Sequence, residues 1–206
     1  MGRTAPLGPQ GVPSAFRKHE VAGRIAVGAL GLDGDEQADR TVHGGEEMAV
    51  YAYPFAHYAR WIADFPHHKA KFGPGGVGEN LTINGLVEAD LCVGDVHRIG
   101  GAIVQVCQPR QPCFKLALHF DDSQLPKAMV RNGRAGWYYR VLAPGSIEAG
   151  DILHLDDRPN PGFSFERLVE IVNFRNPTPS EIVAMASMTG LATGMRNAAR
   201  EQLADR

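Results

Sequence analysis

The chain is poor in cysteine, with Cys92, Cys107 and Cys113 the only three in 206 residues. Three cannot all pair, and no two stand at the C-x-x-C spacing of zinc knuckles or redox dithiols. A disulfide framework is excluded as the basis of the fold, and a reducing cytoplasm is the expected setting. Long apolar runs are missing too: no stretch approaches the ~18 residues of a membrane span. Residues 1–17 are broken by Pro6, Pro9 and Pro13 and lack the apolar centre of a signal peptide, while Pro6 spoils a myristoylation match. The expected protein is soluble, neither exported nor anchored.

Charge of one sign is also lacking, since 21 Lys+Arg against 23 Asp+Glu leave a net charge of −2. No whole-chain field draws nucleic-acid backbones or anionic lipid, so neither is an expected partner. Two hydrolytic signatures are absent: there is no G-x-S-x-G, and His57, His67 and His68 do not form H-E-x-x-H.

What the chain has in quantity is turn chemistry, with 24 Gly and 14 Pro. From residue 12 to residue 155, short β-prone runs alternate with Gly, Pro or Asp, the pattern of a barrel or sandwich. The predicted strands are 23–30, 48–53, 79–83, 91–99, 102–107, 115–120, 136–142 and 151–155. Gly94-Asp95 and Gly150-Asp151 read as turns at strand entries. One helix interrupts this pattern, with Pro54 at its first position, Phe55, Tyr58, Ile62 and Phe65 on one face, and Pro66 beyond its end. After residue 156 a linker-like Asp157-Arg158-Pro159-Asn160-Pro161-Gly162 precedes helical sequence. Thr178-Pro179-Ser180-Glu181 supplies capping residues for one helix there, and a second amphipathic run covers 191–203. The expected division is a β-rich unit at 12–156 and a small helical unit at 163–206.

The segment richest in chemistry is 104–115, Val-Gln-Val-Cys-Gln-Pro-Arg-Gln-Pro-Cys-Phe-Lys. Pro109 and Pro112 stiffen a short connection that ends at Cys113, and Arg110 and Lys115 flank it. A thiolate held there is a nucleophile or a soft-metal ligand. On composition alone a buried cysteine after a proline turn is the plainer reading. Cys92 and Cys107 lie inside apolar runs and read as core. The polar loop 33–45 has spaced acids, but Ala38 and Gly44 stand where a calcium EF-hand needs Gly and Glu. His43, ahead of two glycines, is a candidate ligand contact or a plain turn histidine. Gly73-Pro74-Gly75-Gly76-Val77-Gly78-Glu79-Asn80 exposes backbone N–H groups, yet lacks the Walker Lys and the dinucleotide pattern.

Five ordered segments together resemble the MOSC domain family, named for the C-terminal domain of molybdenum cofactor sulfurase, in its bacterial YiiM-type branch. They are Ser14-Ala15-Phe16-Arg17-Lys18, the run from Gly34 through Asp39-Arg40-Thr41-Val42-His43 to Gly45, Gly78-Glu79-Asn80-Leu81, Gln108-Pro109-Arg110-Gln111-Pro112-Cys113-Phe114-Lys115-Leu116, and Gly133-Arg134-Ala135-Gly136-Trp137-Tyr138-Tyr139-Arg140. The resemblance covers most of residues 12–156. Val77 departs from the usual Phe before Gly-Glu-Asn-Leu, and the last helices look shorter than those of the branch. The implied fold is β-rich α+β, a MOSC-type β-barrel with peripheral helices followed by a small three-helix unit.

The resemblance further implies a molybdenum cofactor, with Cys113 as metal ligand and catalytic residue. It implies Lys18 and Arg40 at the anionic end of the molybdopterin, Arg110 nearer the metal, and polar contacts from His43 and Asn80. Glu79 is expected mainly to hold its loop. The implied activity is reduction of N-hydroxylated compounds such as N-hydroxylaminopurines. The alternatives are a non-catalytic cofactor carrier and a persulfide carrier acting through Cys113. An iron–sulfur cluster takes four thiolates, so none is expected in this chain, and electrons must come from a separate reductase or ferredoxin-like partner. By analogy, a homodimer is expected.

Overall fold

The computed structural model describes residues 1–38 and 44–205. A hairpin of β1 (Ala5–Leu7) and β2 (Val12–Ser14) comes first, followed by β3 (Ile25–Gly28) and β4 (Gly31–Leu32). Next are β5 (Val50–Pro54), α1 (Ala56–Asp64), a 3₁₀ turn at Pro66–Lys71, β6 (Leu81–Ile83), β7 (Val96–Ile99) and β8 (Ala102–Pro109). Two short helices, α2 (Phe114–Phe120) and α3 (Gln124–Asn132), lead to β9 (Trp137–Ala143), β10 (Gly145–Ile147) and β11 (Leu153–Asp157). The chain closes with α4 (Phe165–Phe174), α5 (Pro179–Ser187) and α6 (Thr193–Ala204).

The main sheet has the order β11-β7-β8-β9-β5-β6, antiparallel except for the parallel β5–β6 pair. It curls into a half-barrel, so the expected β-rich α+β class holds while the barrel itself is a half-barrel. The two outer strands, β6 and β11, do not pair with each other, so the sheet does not close. A second sheet, β10-β3-β4, lies against the first. Its approach depends on Gly145, where a Cβ would collide with the backbone of Gly101, whose N–H bonds to the Ser146 carbonyl at 2.9 Å.

β5 has two buried faces, and its residues alternate between two cores as a strand's period of two requires. Val50 and Ala52 join Val104, Val106, Trp137, Phe165 and Leu168 on one side. Tyr51 and Tyr53 join Phe16, Trp61, Leu116 and Phe120 on the other. The helices at 165–204 share the first of these cores: Phe165 is fully buried and meets Trp137 edge-on at 6.5 Å. Backbone bonds tie them in, from Phe165 N to the Leu91 carbonyl (2.8 Å) and from Ala192 N to the Cys107 carbonyl (3.0 Å). Thr178 and Glu181 form the reciprocal cap expected at the start of α5.

Three local expectations need correction. Residues 115–120 alternate like a strand but fold as α2, because Leu116 and Phe120, four apart, are the buried pair. Residues 124–132 carry no predicted element but form α3, whose buried face is Leu125, Ala128 and Met129. Pro54 ends β5 instead of opening α1, and Phe55 is half exposed while Tyr58 and Trp61 carry the buried face.

Two outcomes follow from this packing. Phe165→Ala removes a fully buried ring from the core shared by sheet and helices, and should cost about 3–5 kcal/mol while unfolding stays a single transition in denaturant. A separate early transition of the helices would contradict the shared core. His97 is buried with Nδ1 2.6 Å from the Tyr139 hydroxyl, and burial lowers its pKa from 6.5 to about 4. The unfolded chain therefore binds this proton first as pH falls. The His97 contribution to stability is intact above pH 6.5, is lost between 6.5 and 4, and amounts to about 3 kcal/mol at the acid end. His97→Asn should flatten that part of the stability-against-pH curve.

Candidate functional site

The site forms where β8 leaves the sheet. Pro109 still pairs with Trp137 of β9, and the next four residues carry the chain to Cys113, extended at φ −110° immediately before α2. A shallow cleft opens beside this turn. Phe16, Lys18, Asn80, Arg110, Cys113 and Tyr138 face it from four separate parts of the chain. Four of the expected site residues, Lys18, Asn80, Arg110 and Cys113, are thus brought together. Arg40 and His43 lie outside the described residues.

The three cysteines differ sharply in setting. Cys107 is fully buried, donates toward the carbonyls of Glu47 (3.0 Å) and Tyr138 (3.3 Å), and burial pushes its thiol up to about 12. Burial raises the Cys92 thiol as well. Cys113 alone is partly exposed and lines the cleft.

Arg110 is a buried cation, 6% exposed, with its guanidinium 4.9 Å from the centre of the Tyr51 ring and 5.5 Å from that of Phe16. Desolvation alone would lower its pKa, but the Tyr51 hydroxyl that accepts from it helps turn the net shift upward, and a guanidinium is not deprotonated in proteins. It therefore stays charged. Its Nη1 donates to the Val77 carbonyl (2.7 Å) and the Tyr51 hydroxyl (3.4 Å). Its Nε and Nη2 have no hydrogen-bond partner among the described residues, so donors remain for an anion in the cleft. Burial raises the pKa of both Tyr51 and Tyr138, leaving neutral phenols beside the guanidinium.

Lys18 is tied elsewhere. Its Nζ lies 2.7 Å from both oxygens of Asp35, and the two side chains are only 9% and 8% exposed. Asn80 braces this pair, donating from Nδ2 to Asp35 at 2.8 Å and accepting the Tyr51 N–H at Oδ1 (3.0 Å). The Lys18 charge thus reaches the cleft as one half of an ion pair. Asp35 escaped the sequence reading because its neighbouring acids suggested only a calcium loop. Its partner stands 17 residues away, with no local pattern to connect them.

Glu79 holds the glycine loop, as expected. Its buried carboxylate accepts from the Tyr58 hydroxyl, the N–H groups of Gly75 (2.8 Å) and Val77 (3.2 Å), and the Thr82 hydroxyl (2.9 Å). That shape aims the Val77 carbonyl at Arg110. Gly78 completes the loop at φ +87°, with the Phe16 ring 3.2 Å from where a Cβ would sit. The N–H groups of this loop are thereby occupied by protein oxygens at Gly75 and Val77.

The MOSC domain profile matches residues 39–154, the part of the chain that contains β5 through β9 and Cys113. The protein YiiM of Escherichia coli strain K12 is 45% identical over 150 residues, spanning 73% of this chain and 67% of that protein. A protein named "Reductase" from Gibberella moniliformis is 37% identical over 166 residues, covering 80% of this chain but only 29% of its own length. The crystal structure of YiiM from Geobacillus stearothermophilus superposes with a TM-score of 0.80 at 33% identity, over 97% of each chain.

The arrangement makes Glu79 the brace on which the Arg110 position depends. Glu79→Gln places an amide donor among four donors, and should lower stability by about 3 kcal/mol in chemical denaturation. An unchanged unfolding midpoint would contradict the bonding described.

Proposed function

Because the chain belongs to the MOSC domain family, we propose that it is a molybdenum-cofactor-dependent oxidoreductase that reduces N-hydroxylated compounds, N-hydroxylaminopurines among them. The observation that carries this reading is Cys113, the one cysteine open to the cleft, beside a buried guanidinium whose Nε and Nη2 have no partner among the described residues. A fungal relative named as a reductase supports the reaction class.

The donor set fits the group. A thiolate is a soft ligand suited to a molybdenum centre, and Arg110 supplies a fixed positive charge with open N–H groups next to it. Cys113 would hold the metal, and Arg110 would face the metal and its anionic ligands. Lys18, already paired with Asp35, would contribute to the phosphate end as a positioned N–H donor more than as a net charge. Arg40 and His43 remain assigned to the phosphate end and to the pterin or substrate, respectively. Asn80 would act on the cofactor pocket by fixing Asp35 and Tyr51.

When bound, the molybdenum centre supplies the two-electron reduction of an N–O bond. The chain's part is to orient. Arg110 covers the buried Tyr51 and Phe16 rings, and the partly exposed Tyr138 ring is the aromatic surface of the cleft that would meet a flat base analogue. Overall, the N–OH group with two electrons and two protons becomes the amine and water. Cys92 and Cys107 are both buried, which leaves no thiolate set for an iron–sulfur cluster, so the electrons are assigned to a separate reductase or ferredoxin-like protein. A cytoplasmic setting accords with three unpaired cysteines.

The test is metal analysis of wild type and Cys113→Ala, each produced in a host that makes the cofactor, followed by N-hydroxylaminopurine reduction with a chemical electron donor. Wild type should carry molybdenum and turn over, and Cys113→Ala should lose most of both. Cys113→Ser, offering a harder oxygen ligand, should also lose most activity. Equal molybdenum in wild type and Cys113→Ala would sink the ligand assignment. Molybdenum bound without turnover would leave a cofactor carrier, and sulfane sulfur on Cys113 without molybdenum a persulfide carrier.

A further inference from the structure

A second cluster of metal-ligating groups lies at the far end of α2 from Cys113. The 3₁₀ turn Pro66–Lys71 carries His67 and His68, and the turn between α2 and α3 carries Asp122. Their side chains converge on one carboxylate oxygen: Asp122 Oδ2 is 3.1 Å from His68 Nε2 and 3.6 Å from His67 Nε2. The three ligand atoms all lie within 4.8 Å of one another. In a tetrahedral zinc site with bonds of about 2.0–2.1 Å, neighbouring ligand atoms are about 3.3 Å apart. The two measured separations bracket that edge length.

The cluster is also held in place. The other carboxylate oxygen of Asp122 accepts the Gln124 N–H at 2.8 Å, which fixes the orientation in which Oδ2 meets the imidazoles. That N–H bond is the main reason the carboxyl sits below its usual pKa, so a full negative charge faces the ring nitrogens. The His68 ring packs edge-on against Phe120 at 5.5 Å and lies nearly parallel to Phe65 at 6.5 Å. Its side chain is 13% exposed, whereas that of His67 is 63% exposed and faces water. The open side leaves room for a fourth ligand from solvent. Calcium or magnesium would demand more oxygen ligands than this set supplies.

We propose that His67, His68 and Asp122 bind a divalent borderline metal ion of the zinc class, with water completing a tetrahedron, at a site separate from the Cys113 cleft. The ion would clip the turn after α1 to the turn after α2. Lys71 already reinforces the same junction, donating to the carbonyls of His119 (3.0 Å) and Phe120 (3.1 Å) at the end of α2. Cys113 immediately precedes α2, so the clip would steady the helix that follows the candidate molybdenum ligand.

Cobalt(II) titration of the full chain, followed by displacement with zinc, tests this directly. Wild type and Cys113→Ala should each take up one cobalt ion with the intense visible bands of tetrahedral nitrogen and oxygen coordination and no thiolate charge-transfer band. Zinc should bleach those bands and raise Tm. His67→Ala, an exposed position that should leave the fold intact, and Asp122→Asn should each weaken cobalt binding by about 100-fold or more. Undiminished binding in both variants would overturn the proposal. So would bands that disappear in Cys113→Ala, because the metal would then belong to the cleft.

Discussion

Everything in this molecule is arranged around the double-sided burial of β5. A strand that sends alternate residues into two cores cannot slip by one position without exchanging its tyrosines for valine and alanine. Val50 and Ala52 are small enough for the interior of the curled sheet, while Tyr51 and Tyr53 fill the space between the sheet and α1, α2 and α3. The Tyr51 hydroxyl donates to the Ala135 carbonyl (2.8 Å), and Trp61 donates to the Tyr53 hydroxyl (2.6 Å). The register is therefore fixed by polar bonds as well as by volume, and the position of the Tyr51 ring follows from it.

That ring is the floor on which the cleft is built. Arg110 lies over it, Asn80 is bonded to its backbone, and Asp35 and Lys18 are attached in turn through Asn80. On the other side Glu79 folds the glycine loop so that the Val77 carbonyl meets the guanidinium. Two buried or nearly buried ionic groups, the Lys18–Asp35 pair and Arg110, are thus held by partners drawn from residues 16–18, 35, 51 and 77–80. Buried charges persist only when paired or hydrogen-bonded, and here their restraint leaves the partly exposed thiol of Cys113 next to a cation that cannot move away.

Sequence reasoning worked where local chemistry and period agree. The Thr178–Glu181 cap and the Gly94-Asp95 and Gly150-Asp151 turns fall where predicted, and every strand of the main sheet overlaps a predicted run, with β5, β8, β9 and β11 extending one or two residues past its end. It failed at 115–120, where Lys-Leu-Ala-Leu-His-Phe satisfies a period of two as well as a spacing of four. The position of Phe120 against Phe72, at 4.7 Å, decides for the helix. Among the site residues, Cys113 and Arg110 were legible from the proline-stiffened turn and from the family resemblance. Asp35 and Tyr51 were not, because their roles depend on partners far apart in sequence.

By itself the sequence determined the class of fold, the family, and the single cysteine placed at the end of a rigid turn, since each of these is written in short-range order: turn residues, periodicity and contiguous motifs. Only the tertiary structure decided that the sheet stops at a half-barrel, that Lys18 pairs with Asp35 while Arg110 bonds to Val77 and Tyr51, and that His67 and His68 meet Asp122. Those are outcomes of long-range packing, in which side chains from separate elements compete for the same buried space and the same few acceptors.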